Sequence, residues 1–163
     1  MTSAEANKKL ATLRMELGSL TDNERKVCTF VAATVENIDD VRPEYSITDT
    51  SIKIDELNAE IRELKHKINQ FNVSFVIPGV GMTIDQVLVY MPQLREAMNR
   101  YADMASRIDK VRVTGYSKTS GLIEYEYTNY DIRQARLLYE EARDELARVQ
   151  LALDQVNSSV DIG

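Results

Sequence analysis

Cysteine and histidine occur once each in the 163 residues, as Cys28 and His66. A lone cysteine permits no intramolecular disulfide and gives no sign of an oxidising compartment, so Cys28 is expected to be reduced and partly buried. A lone histidine narrows the chemistry further. Any Ser/His/Asp or Cys/His catalysis would have to take its base from His66, and neither Cys28 nor any serine lies in a nucleophile motif. Long apolar runs are also missing. No stretch approaches the roughly 20 apolar residues of a membrane span, and "MTSAEANKKL" at the start lacks the apolar core of a signal peptide. A cytoplasmic protein with no membrane partner is the expectation.

Positive charge is in deficit. Lysine and arginine total 20 against 26 aspartates and glutamates, giving a formal charge of −6 and a pI near 4.9, which argues against general affinity for nucleic acid or anionic membrane. Residues 34–63 carry nine acids and only three bases. Such a segment is either a solvated face or a docking surface for a basic partner.

What the sequence does contain is helical periodicity. Apolar residues recur at alternating spacings of three and four in Leu10, Leu13, Leu17 and Leu20, and the same spacing runs on through Glu24 to Val27, Val31, Thr34 and Ile38. With Gly18 nearby and "TDNE" at 21–24 resembling a capping box, residues 4–38 form either one long helix or two. A second helix follows Ile54, Leu57, Ile61, Leu64, Ile68 and Phe71. A third follows Ile84, Val87, Met91, Leu94, Met98, Tyr101, Ala105 and Ile108; Thr83 and Gln86 cap it, and Pro92 predicts a kink. A fourth follows Ile132, Ala135, Tyr139, Ala142, Leu146, Val149, Leu153 and Val156, entered from Thr128 or Asn129. Seams this narrow need a facing seam on another helix or another subunit. The fold class is therefore mainly α: one domain over residues 1–163, a bundle of long antiparallel coiled-coil helices with a small β-hairpin between the last two.

That hairpin occupies about 110–128, where the period drops to two. Val111 and Val113 alternate with Arg112 and Thr114, while Ile123, Tyr125 and Tyr127 alternate with Glu124 and Glu126; "GYSKTSG" supplies the turn. The two valines, the isoleucine and the two tyrosines are expected on one apolar face that needs cover, since an isolated hairpin is marginal in water. A third strand is expected within 72–83, with Val73, Phe75 and Ile77 at period two. The insert then closes the bundle end, or its edge recruits a second subunit. Val111, Val113, Ile123, Tyr125, Tyr127 and Phe75 are the candidate interaction residues.

Chemistry-bearing patterns are weak by comparison. Glu63 and His66 form an E-x-x-H pair, but a di-metal carboxylate site needs a second such pair. "PGVGMT" at 78–83 is a glycine turn before a helix, without the lysine or spacing of a phosphate loop. Asp39 with Asp40 and Glu140 with Glu141 are sequence neighbours that do not face each other on a helix. Tyr116, Tyr125, Tyr127 and Tyr130 alternate with acids that would repel a phosphate backbone, so nucleic acid is not an expected partner. No cofactor, metal ligand or catalytic residue is assigned. The expectation is a non-enzymatic oligomerisation or protein-interaction module, a homodimer or higher homo-oligomer or the binder of another protein. The alternative is a small-ligand sensor using the 78–83 turn with Tyr125 and Tyr127.

At "KINQFN" (67–72) followed by "GMTIDQVL" (81–88) the sequence resembles the septicolysin-like family of small bacterial proteins. In that family a long helix ends in a basic residue, Ile-Asn, one variable position and Thr-Asn, then a turn, Gly-x-Thr-Leu and a further helix. The resemblance places Asn69, Asn72, Gly81, Thr83, Ile84 and Leu88 at family positions, with Phe71 in place of the threonine. A strand entry at Ser106 to Val113 and a closing helix ending near Asn157 follow the same order, while residues 114–124 are longer than the family's connection. The family is functionally uncharacterised, so the resemblance carries over no catalytic or binding residue.

Overall fold

The computed structural model describes residues 1–114 and 123–163. Those residues form five helices and one two-stranded antiparallel sheet: α1 Ser3–Val27, α2 Ile38–Val41, α3 Ile47–Ser74, α4 Ile84–Ala105, β1 Lys110–Arg112, β2 Tyr125–Tyr127 and α5 Ile132–Ser159. They divide into two compact units, Met1–Ser74 with Gln155–Gly163, and Phe75–Asp154.

The first unit is built on the antiparallel pair α1 and α3. Leu10, Leu13, Leu64 and Ile68 close around Ala6, with Leu57, Ile61 and Ile162 against them. Fully burying each such leucine or isoleucine contributes roughly 1.5–3 kcal/mol. Lys9 pairs with Glu60 along this seam, and Tyr45, just before α3, reaches Glu24 near the end of α1. The chain ends meet here too: the Met1 ammonium pairs with Asp161, and the Ile162 N–H donates to the Met1 carbonyl at 2.9 Å.

Residues 4–38 do not form the continuous seam that the spacing allows. α1 runs unbroken through Gly18 and "TDNE", because Thr21 turns its hydroxyl back onto the Leu17 and Gly18 carbonyls, at 3.0 Å each, instead of capping a new helix. It stops at Val27, and Val31, Val35 and Ile38 are exposed. Cys28 is exposed rather than partly buried.

In the second unit α4 and α5 run antiparallel. The Tyr130 hydroxyl donates to the Met104 carbonyl at 2.8 Å at one end, and Arg148 donates to the Gly79 carbonyl at 2.7 Å at the other. Ile84, Val87, Met91 and Leu94 of α4, and Ala135, Ala142, Val149 and Leu153 of α5, are buried, as their spacing predicts. Thr83 and Gln86 make the expected reciprocal cap, which stabilises α4 by about 1 kcal/mol. α4 also runs unbroken past Pro92, which sits on the exposed side with Leu88, so water can satisfy the carbonyl that the missing N–H leaves. The cap of α5 is Asp131 and not Thr128 or Asn129: its carboxylate accepts from the Arg133 N–H at 2.8 Å and its carbonyl from Ala135.

Candidate functional site

The β-hairpin grows from the C-terminal end of α4 and is held at its base. The Thr128 N–H donates to the Asp109 carbonyl at 3.0 Å and its hydroxyl to the Ile108 carbonyl at 2.8 Å. Lys110 faces Tyr127, Val111 faces Glu126 and Arg112 faces Tyr125, and the Val113 N–H donates to the Glu124 carbonyl. The turn "GYSKTSG", with Tyr116, lies outside the described residues.

This register overturns the expected single apolar face. Directly opposed residues in an antiparallel pair share a face. Tyr125, Tyr127 and Ile123 therefore lie with Lys110, Arg112 and Thr114 on one side, and Val111 and Val113 lie with Glu124 and Glu126 on the other. Lys110 sits over the aromatic pair, its ammonium 4.0 Å from the Tyr125 ring centre and 5.5 Å from that of Tyr127. The tyrosine face is thus aromatic and basic, not interleaved with acids, although Lys110 covers the ring face that a stacking base would use. Among the described residues of the hairpin, Val111, Val113, Ile123, Tyr125 and Tyr127 are all exposed.

The expected third strand does not form. α3 extends through Ser74 and takes Val73 with it, while the turn that follows closes on itself. Val76 bridges Thr83, the Ile77 N–H donates to the Met82 carbonyl at 2.8 Å, and the Val80 and Gly81 N–H groups both return to the Ile77 carbonyl. Gly79 and Gly81 take the left-handed conformation, at φ 76° and 74°, that this tight path demands. Ile77 plugs the unit at 1% exposure. The turn lies at the N-terminal end of α4 and the hairpin at the other, and 22 helical residues set them about 33 Å apart. Phe75, half-buried in this turn, is therefore not brought to the hairpin, and the turn and tyrosines do not form one pocket. The backbone N–H groups that an anion would need at 78–83 are largely taken by these internal bonds and by the Thr83 cap.

Other chemistry-bearing residues stay dispersed. His66 is exposed, away from the seam residues Leu64 and Ile68, and among the described residues no three His, Cys, Asp or Glu side chains converge as a metal site. No helix among the described residues is long and apolar enough to cross a membrane. An open groove of about 810 Å³ runs between α1 and α3, lined by Met15, Glu16, Leu20, Glu56 and Leu57 among others.

Two polar ties lie outside the sequence reading above, although the first joins opposite charges three apart on one helix. Arg148 holds Glu145 with two bonds of 2.8 Å, which keeps the Glu145 carboxyl below its ordinary range, and Tyr90 adds a further bond. The second tie is Tyr45, whose hydroxyl donates to Glu24 at 2.7 Å. That bond first, desolvation next and the Glu24 charge third push its pKa from 10.0 up to about 12. A raised folded pKa means that this tie contributes fully below the unfolded value near 10 and is lost as pH rises through about 12. In a tyrosinate absorbance titration, one of the eight tyrosines is expected to ionise last, and Tyr45→Phe should remove that late step. An unchanged late step in the variant would place the shifted tyrosine elsewhere.

No family model matches the chain, and no curated protein matches it in sequence. A solved structure does: a functionally unknown conserved protein from Corynebacterium diphtheriae, 18% identical, with a TM-score of 0.57 over 96% of this chain and 95% of that one. At that identity the likeness shows a shared fold.

Proposed function

We propose that the protein is a non-enzymatic assembly module in which the β-hairpin is the contact element. The observation that carries this reading is the exposed hairpin: Val111, Val113, Ile123, Tyr125 and Tyr127 are all exposed, and among the described residues no third strand lies beside β1 or β2. A free-standing hairpin of this length is marginal in water, and an added strand from another chain satisfies its outer N–H and C=O groups. The coiled-coil seams are the second element of the reading. Where α1 and α3 leave Met15 and Ile52 exposed, the helices offer further apolar surface for association.

The ligand-sensing alternative has less support, because the 78–83 turn and the hairpin tyrosines stand at opposite ends of α4 and the turn spends its amides internally. Sedimentation of the intact chain over a range of concentrations tests the assembly reading. The wild type is expected at multiples of 18.5 kDa, and the exposed-site double variant Tyr125→Ser/Tyr127→Ser at the monomer mass with unchanged helicity. Equal association of both proteins would take the hairpin out of the interface.

A further inference from the structure

We infer that copies of this chain associate through unlike hairpin edges, β1 of one against β2 of the next; this rests on the assembly reading above. The ladder fixes which backbone groups are available. Val111 with Glu126, and Val113 with Glu124, are the hydrogen-bonded pairs, as the Val113 N–H to Glu124 carbonyl bond shows. Lys110, Arg112, Tyr125 and Tyr127 occupy the intervening positions, so their N–H and C=O groups point outward along the two edges.

Charge then selects among the possible edge pairings. A two-fold axis normal to the sheet would set like edges together, antiparallel. Two β2 strands centred on Tyr125 would put Glu124 of each opposite Glu126 of the other, and shifting the centre to Glu124 or Glu126 sets that glutamate against itself. Two β1 strands centred on Val111 would put Lys110 opposite Arg112, and centring on either cation sets it against its own copy. Like charges directly opposed across a ladder are destabilising, so each of these symmetric pairings is disfavoured, and a pairing centred on Tyr127 or Val113 avoids the repulsion only by running past the strand ends. The unlike pairing repeats the register already seen inside the hairpin: Lys110 against Tyr127, Arg112 against Tyr125, Val111 against Glu126. It opposes no like charges and reproduces the stacking of a cation on an aromatic ring that Lys110 makes within one chain. The contact is therefore heterologous, and such contacts build rings or open chains rather than two-fold dimers.

Native mass measurements on the wild type and on Glu126→Lys test this. In the variant, two β2 strands centred on Tyr125 would bring Glu124 opposite a lysine twice, converting both repulsions into attractions. The wild type is expected to populate odd as well as even multiples of the chain mass. Glu126→Lys is expected to collapse that series into a dimer, with about a tenfold gain in dimer affinity. A wild type that stops at the dimer, and does not respond to Glu126→Lys, overturns the unlike-edge pairing while leaving assembly intact. A wild type that stays monomeric at every concentration overturns both, as does a single-stranded oligonucleotide, rather than a second copy, bound through Tyr125 and Tyr127.

Discussion

Val149→Asp is expected to unfold the α4–α5 unit at a temperature well below the wild type, while Leu151→Asp, two residues further along α5, leaves the melt nearly unchanged. Val149 is 0% exposed and Leu151 is 62% exposed. A carboxylate at 149 would have to enter a fully buried apolar position of α5. Burying it unpaired, together with the lost valine contacts, costs about 3 kcal/mol or more. A substitution at a solvent-facing position stays within about 0.5 kcal/mol. Circular dichroism melts of the two variants decide the matter, and equal losses would show that the seam of α5 has been assigned to the wrong face.

The second large effect lies in the first unit. Leu10 of α1 and Leu64 of α3 belong to one buried cluster at 6% and 7% exposure. Leu10→Ala and Leu64→Ala are each expected to destabilise by about 2–5 kcal/mol, since the surrounding helices relax only partly into the space left. Because the two side chains share partners, the double variant should depart from the sum of the singles by at least about 0.5 kcal/mol. Chemical denaturation of the four proteins measures this coupling, and hydrogen exchange should place the lost protection within Met1–Ser74. Additive effects with no coupling would mean that α1 and α3 do not meet at these residues.

The helices of this protein are legible in its sequence where packing and periodicity agree. Leu64, Ile68 and Phe71 of α3, and Ile84, Val87, Met91 and Leu94 of α4, are buried at the positions their spacing marks, because a narrow seam between two helices admits one register of apolar residues. The Thr83–Gln86 cap was readable for a similar reason: it involves only residues three apart. Periodicity misled where no partner helix exists. The three-and-four spacing from Val27 through Val31 to Ile38 carries on past the end of α1, yet Val31 and Val35 are more than 90% exposed. Thr21 is ambiguous because one hydroxyl serves equally well as a helix cap or as a donor to the preceding turn.

The candidate site was legible in location but not in arrangement. Alternation marked β1 and β2 correctly, but which side chains share a face depends on the register between strands. Lys110 facing Tyr127 pairs even-numbered residues of β1 with odd-numbered ones of β2, so the valines and tyrosines, all at odd positions, part company. A shift of one residue would have reunited them. No local propensity along either strand reports that register. The same limit hid Tyr45 and Glu24, whose contact spans 21 residues, and it made residues 72–83 resemble a third strand when helix propensity and the Ile77 turn claim them first.

The most direct test of the hairpin as an assembly element is amide hydrogen exchange at Lys110, Arg112, Tyr125 and Tyr127, measured at low and high protein concentration. Their N–H groups point outward along the two edges, so pairing with another chain should slow their exchange as concentration rises, while Val111 and Val113, already bonded within the hairpin, change little. If the four outward amides exchange equally fast at both concentrations while the protein self-associates, the contact lies elsewhere on the molecule and the hairpin is not its assembly element.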